Sequence, residues 1–227
     1  MNDAKRIEAQ QLDPRQHLLR VDRFTILPIM AATLEYGPQL RTRIDPLICG
    51  VGPVESAAAT AATLATLAQA DALPDLIVSL GSAGSRSLEH AGLYQVASVC
   101  YRDMDVSPLG FARGITPFAD HAAVIDIGLR IDGIAAASIA TGASIVSGTG
   151  YDAIDADMVD MESFAVLRAA HRFGVPVIGL RGISDGRAAL SGLQDWTAYL
   201  HLIDAKLAAA LDALETQMRD GRFRIPG

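Results

Sequence analysis

The chain has 227 residues, half of them hydrophobic, and a mean hydropathy of +0.26. That is enough apolar material for one large core, and it excludes a globally disordered protein. A net charge of -7 with a pI near 5.1 excludes the broad basic face that nucleic-acid backbones require.

The first twenty residues mix Lys5, Arg6, Glu8, Asp13, Arg15 and Arg20 with no apolar stretch. They read as a polar arm over 1–22, possessing a short helix at most, and not as a signal peptide. No apolar run approaches the roughly 20 residues of a membrane helix. A cytoplasmic protein is the expectation. Phe24 to Met30 is a first strand, which Pro28 weakens or places at an edge. Ala31 to Tyr36 reads as the start of a helix that Gly37-Pro38 stops. Pro46 to Gly52 is a strand running into a glycine turn, and Glu55 to Ala70, rich in alanine and leucine, is a helix.

Pro74 to Leu80 is nearly uninterrupted apolar sequence, as expected of a strand covered on both faces. It ends in Gly81-Ser82-Ala83-Gly84-Ser85, a turn whose small residues either let backbone amides approach a ligand or only permit a tight connection. Strand, helix and strand make a βαβ unit. Neither G-x-G-x-x-G nor G-x-x-x-x-G-K-[ST] is present, so no dinucleotide or P-loop cofactor is expected. Tyr94 to Cys100 is another strand. Asp103 and Asp105 after it lack a third ligand in register and read as a salt-bridged loop, not a metal site. Residues 107–121 form an irregular loop with Pro108, Gly110, Gly114 and Pro117. Ala135 to Val146 gives two short strands, and Ser147 to Tyr151 a further glycine turn. Val159 to Arg172 reads as a helix, Val177 to Ile183 as the last strand, Arg187 to Gln194 as a polar connection and Trp196 to Met218 as a long amphipathic helix. A single α/β domain over 23–218 follows, with a basic tail over 219–227. Cys49 and Cys100 each close a strand-like run and read as reduced thiols.

Two carboxylates occupy positions where α/β proteins place ligands. Glu162 stands at the mouth of an apolar helical run and Asp185 at the carboxyl end of the last strand. By position alone, each has a structural alternative, Glu162 favouring a helix dipole and Asp185 capping a turn.

Five motifs in order, Leu76 to Gly84, Asp103-Met104-Asp105-Val106, Ile145-Val146-Ser147-Gly148, Val159-Asp160-Met161-Glu162 and Arg181-Gly182-Ile183-Ser184-Asp185, together resemble the nucleoside phosphorylase/nucleosidase superfamily. Within it, the likeness is to 5'-methylthioadenosine/S-adenosylhomocysteine nucleosidases, over roughly Arg23 to Leu214. The resemblance implies a three-layer fold, a twisted mixed β-sheet flanked by helices, and a homodimer that hydrolyses the N-glycosidic bond of adenine nucleosides without a metal or cofactor. It implies that Asp185 protonates the leaving base and that Glu162 binds the ribose hydroxyls, with Met161 against the sugar. Tyr151 falls where the family has a base-stacking phenylalanine. Ser82, Ala83 and Gly84 would line the ribose and water side, Arg181 and Ser184 would orient the acids, and the loop around Leu109 would reach the partner subunit's site.

One position departs from the family. The water-activating glutamate lies three residues after the methionine of the first strand, which here is Thr33, not a carboxylate. Glu35 takes that role if the turn is shifted or bulged. On a regular helix it would face away, two residues being a rotation of about 200°. The expectation is therefore a nucleosidase acting through Asp185 and Glu35. Its alternatives are a phosphorylase, with Arg86 and Arg113 available for phosphate, and a nucleoside-binding protein without turnover.

Overall fold

The structure is a computed structural model that describes residues 13–186 and 192–225. The chain enters through a hairpin, β1 (Leu19–Val21) and β2 (Phe24–Met30), then α1 (Pro38–Arg41), β3 (Leu47–Ile48) and α2 (Pro53–Gln69). Four strands follow, β4 (Leu76–Gly84), β5 (Leu93–Tyr101), β6 (Val124–Asp126) and β7 (Ala136–Thr141). The last part holds β8 (Met158–Asp160), α3 (Ser163–His171), β9 (Val177–Asp185), α4 (Leu193–Thr197) and α5 (Leu200–Arg219). Among the described residues nine strands form one mixed sheet, ordered β1-β2-β4-β8-β7-β5-β6, with β3 beside β2 and β9 between β4 and β5. Because β4 pairs with both β8 and β9 while β5 pairs with both β7 and β9, part of the sheet closes on itself. The closing contact is the single pair Gly84 and Val159.

The period-2 alternation of strand side chains explains the three layers. Leu27 and Ile29 of β2, Ile77 of β4 and Val177 and Ile183 of β9 face a core completed by Leu64 and Leu67 of α2 and Val166, Leu167 and Ala170 of α3. Their neighbours Ile26 and Met30, Leu76, Val78 and Leu80, and Ile178 and Leu180 face a second core. There they meet Leu207, Leu211, Leu214 and Met218, a single stripe of α5. Each such side chain contributes about 1.5–3 kcal/mol by leaving water. A strand covered on both faces is mostly apolar, so the nearly uninterrupted run at 76–80, broken only by the buried Ser79 that Arg181 binds, and the run at 177–180 are a consequence of this layering. Gly182 lets α5 approach the sheet, since a Cβ there would lie 2.5 Å from Ile203 Cγ2.

Several boundaries differ from the sequence expectations for identifiable reasons. Pro28 is not in an edge strand. Opposite β2, β1 covers Phe24–Ile26 and β3 covers Ile29–Met30, so Pro28 falls in the gap between the two partners. Gly37-Pro38 does not stop a helix but starts α1, with proline in the first turn where no amide is needed. Residues 81–84 are not a turn but the end of β4, held in register by β9. Val159 and Asp160 belong to β8, and α3 begins only at Ser163. Ala135 to Val146 holds one strand, β7, instead of two, and Trp196 to Met218 is broken between α4 and α5. Of the amino-terminal arm, 13–21 docks through β1, with Val21 fully buried. At the other end Phe223 of the tail is buried in the α5 core. Residues 1–12, 187–191 and 226–227, including most of the polar connection, lie outside the described residues.

Candidate active site

Strands β2, β4 and β9 run parallel, so Met30, Ser82–Gly84 and Asp185 arrive together at one end of the sheet. This carboxyl-end position is where α/β sheets bind ligands. The cleft there is lined by Met30, Glu35, Cys49, Ser82, Glu162 and Arg181, among others.

Glu35 reaches this cleft because the chain after β2 does not form a helix. Glu35 N–H donates to Ala32 O and Tyr36 N–H to Thr33 O, two successive tight turns. They push Thr33 and Leu34 into solvent and bring Glu35 back inside, 7% exposed. It is thus Glu35, and not the exposed Thr33, that lines the cleft. Its Oε1 accepts from Ser82 N–H at 2.7 Å and from Ser82 Oγ–H at 2.6 Å. Burial pushes the Glu35 carboxyl above the usual carboxylate range, opposed by the two Ser82 donors and by the Arg181 charge.

Glu162 is the N-cap residue of α3, yet its side chain does not cap that helix. The α3 amides are satisfied otherwise, Ser163 N–H by Asp160 Oδ2 and Phe164 N–H by Thr141 Oγ1, each at 2.9 Å. Glu162 is thereby released to reach across to Gly52 N–H, 2.8 Å from its Oε1, at the start of α2. Gly52 has φ +95°, a conformation that favours glycine, which aims this amide at the cleft. Burial and the nearby Asp160 charge push the Glu162 carboxyl up to about 7.

Arg181 holds the floor of the cleft. Its guanidinium donates to Asp160 Oδ2, Ser79 O, Ser79 Oγ, Ser163 Oγ and Leu180 O, and both members of the Arg181–Asp160 pair are buried. Asp160 also accepts from Thr141 Oγ1 at 2.7 Å. Arg181 therefore fixes Asp160 and acts on Glu35 and Glu162 through its charge.

Asp185, Ser184, Tyr151 and Gly84 form a second group beside the cleft, two residues further along β4 than Ser82. Two strand residues span roughly 7 Å. Ser184 Oγ donates to Asp185 Oδ2 at 2.7 Å, and Oδ1 has no hydrogen-bond partner among the described residues. A Cβ on Gly84 would lie 2.8 Å from that Oδ1 and would strike the Tyr151 hydroxyl, so only glycine leaves room for both. Burial raises the Asp185 carboxyl, against the Ser184 bond and the charge of His90. Tyr151 is buried against Ala140, Val146 and Val159, and its hydroxyl, close to Asp185, has no hydrogen-bond partner among the described residues. Met161 is half-buried in the turn between β8 and α3, and Ala83 is buried in β4.

Two further residues were not singled out from sequence. Gly52 supplies the amide on Glu162, and the half-buried Trp196 of α4 donates its indole N–H to Ser82 Oγ at 2.9 Å. The glycine-rich run at 50–52 carried a signal for the first, whereas a cross-chain indole bond leaves none. Arg86 and Arg113 stand outside the cleft, paired with Asp152 and with Asp105 respectively. Asp103 likewise pairs with Arg102, so the two aspartates after β5 do form a salt-bridged loop. Among the described residues no three His, Cys, Asp or Glu side chains gather to hold a metal ion.

This fold, with acids at the carboxyl ends of β2 and β9 and at the head of α3, is that of a nucleoside-processing family. Residues 46–214 match the family model described as the phosphorylase superfamily, and the chain belongs to that family. Over 155 residues it is 32% identical to a 5'-methylthioadenosine/S-adenosylhomocysteine nucleosidase of Hydrogenovibrio crunogenus, covering 60% of this chain and 65% of the relative. A Haemophilus influenzae protein of the same name is 30% identical over 156 residues, covering 60% and 66%. The match thus spans just under two thirds of the length of these relatives. The fold is shared with S-adenosylhomocysteine nucleosidase from Streptococcus pyogenes, solved with 5-methylthiotubericidin (TM-score 0.69, 23% identity, 84% of this chain and 96% of that one). It is shared equally with a futalosine hydrolase mutant of Helicobacter pylori (TM-score 0.69, 20% identity, 85% and 98%).

Proposed function

We propose that the protein is a purine nucleosidase that hydrolyses the N-glycosidic bond of 5'-methylthioadenosine, S-adenosylhomocysteine or a related adenine nucleoside. The observation that carries this reading is the pairing of two carboxyl groups on neighbouring parts of one strand end. Glu35 is held by Ser82 on the cleft floor, and Asp185 lies beside Gly84, roughly 7 Å further along β4. That separation suits a ligand whose ribose lies over Ser82 and whose base lies by Asp185 and Tyr151.

Heterolysis of the C1'–N9 bond sends its electron pair to the base and leaves positive charge on the sugar. Asp185, whose carboxyl burial holds above its usual range, donates a proton to N7 of the departing adenine. Glu35 has Oε1 occupied by both Ser82 donors and takes a proton from water on Oε2, while the water oxygen bonds C1'. Glu162 accepts hydrogen bonds from the ribose 2'- and 3'-hydroxyls, and its negative charge stabilises the cationic sugar. Met161 packs on the sugar, Ala83 and Gly84 line its other side, and Tyr151 forms the wall of the base subsite. The relatives named as nucleosidases support the same chemistry.

The phosphorylase alternative needs cations free to bind phosphate. Of the arginines at 86, 113 and 181, only Arg181 lines the cleft, and its donors are spent on Asp160, Ser79 and Ser163. We further propose a homodimer in which the 107–121 loop meets the partner's site. Leu109 and Phe118 of that loop stand 74% and 100% exposed, an apolar surface suited to burial against a second copy. The test is adenine release from 5'-methylthioadenosine. Turnover supports the enzyme, and binding with no release overturns it in favour of a binding protein.

A further inference from the structure

We propose that Trp196 is a positioning residue for Glu35, acting through Ser82, and that it couples helix α4 to the cleft; this rests on the reading of Glu35 as the water-activating base. A serine hydroxyl has one proton. The indole N–H of Trp196 can only donate, so at 2.9 Å it obliges Ser82 Oγ to act as acceptor towards Trp196. The one hydroxyl proton then points to Glu35 Oε1, 2.6 Å away, where the Ser82 amide already donates at 2.7 Å. With Oε1 doubly engaged, Oε2 is the oxygen left to take a proton. Bonds in such a chain polarise one another, so the indole makes the Ser82 hydroxyl a stronger donor to the carboxylate.

Position adds to this. Trp196 lies on α4, which follows the residues after Asp185, the proposed acid, whereas Ser82 is on β4 and Glu35 on the turn after β2. A displacement of α4 by the ligand's sugar or base therefore changes the hydrogen bonds on Glu35. The charged groups that face Glu35 are Arg181, which favours its ionised form, and Asp160, which opposes it. Glu162 and Cys49 also lie close enough for their titration to feel the Glu35 charge. None of these changes when the indole is removed, so a shift on removing it reports the Trp196–Ser82 bond.

Trp196 is the sole tryptophan of the chain, so intrinsic tryptophan fluorescence reads this bond directly. The test has two arms on the full-length protein. In the first, wild-type emission is titrated with pH beside Glu35→Gln. A transition in the wild type that vanishes in the variant is expected, and an identical titration in both overturns the proposal. In the second, Trp196→Phe keeps an aromatic side chain without the donor. A fall in kcat of about 2- to 10-fold, with KM little changed and the acidic limb of the rate profile moved to higher pH, is expected for the loss of one hydrogen bond. An unchanged kcat and an unchanged acidic limb overturn it. The fluorescence arm needs no substrate, so a protein without nucleosidase activity would refute the enzymatic reading and still decide whether Trp196 senses Glu35.

Discussion

Asp185→Asn separates proton delivery from architecture. Asparagine keeps the size of the side chain and an oxygen for the Ser184 hydroxyl, which now lies 2.7 Å from Asp185 Oδ2. Gly84 still leaves room for both this side chain and the Tyr151 hydroxyl. What is lost is the acidic proton a carboxyl can deliver, which burial makes easier to keep. General acid catalysis by one placed group is worth about 10²- to 10⁴-fold, or about 3–5 kcal/mol of barrier. Initial rates of adenine release from saturating 5'-methylthioadenosine should fall by that factor, with KM changed far less. The melting temperature should stay level or rise, because a carboxyl whose ionised form is disfavoured by burial gives way to a neutral amide. A variant that keeps its fold and retains more than about a tenth of the wild-type rate would refute the assignment of Asp185 as the acid.

Glu35→Gln retains an amide oxygen for the two Ser82 donors but not a base, and should lower kcat by about 10²-fold or more in the same assay; an unchanged rate would remove Glu35 from the mechanism. Replacing Arg181 by Met strands Asp160 in the core. Thermal denaturation should show a loss of about 3–5 kcal/mol, roughly 10 °C in Tm at this chain length, whereas a loss under about 1 kcal/mol would mean the buried pair is not needed. Glu162 is raised from 4.5 to about 7 in the folded protein, so the folded state binds its proton more tightly than the unfolded one. The stability it contributes is fully present below about pH 4.5 and is lost as pH rises towards about 7. Denaturant melts across that window should flatten in Glu162→Gln, and identical pH curves would contradict the shift.

The central strands could be read from the sequence because burial on both faces demands apolar residues at nearly every position, as at 76–80, where only Ser79 is polar, and at 177–180. The strands that escaped notice, β1, β6 and β8, have three residues each, too few for a period to register. Neighbouring strands, not local preference, hold them in the sheet. The same tertiary override turned the glycine-rich run at 81–84, which reads as a turn, into the end of β4. For the site, residue types and order placed Glu162 and Asp185 at the ends of their elements. Glu35 depended on something the sequence did not contain, the path of the backbone between Met30 and Gly37. A helix would have carried it away from the cleft, and the two tight turns bring it in. Trp196 was unreadable for the same kind of reason. Its partner Ser82 is 114 residues away, and only the tertiary fold brings α4 and β4 together.

The central claim is that water, not phosphate, receives the sugar in a cleft whose one arginine among the described residues, Arg181, is already bound. The most direct measurement is the identity of the sugar product when 5'-methylthioadenosine is turned over in phosphate-free buffer and again with added phosphate, followed by chromatography and mass. Adenine and free 5-methylthioribose at equal rates in both buffers are the predicted result. Adenine release that requires phosphate and yields the sugar 1-phosphate would contradict it.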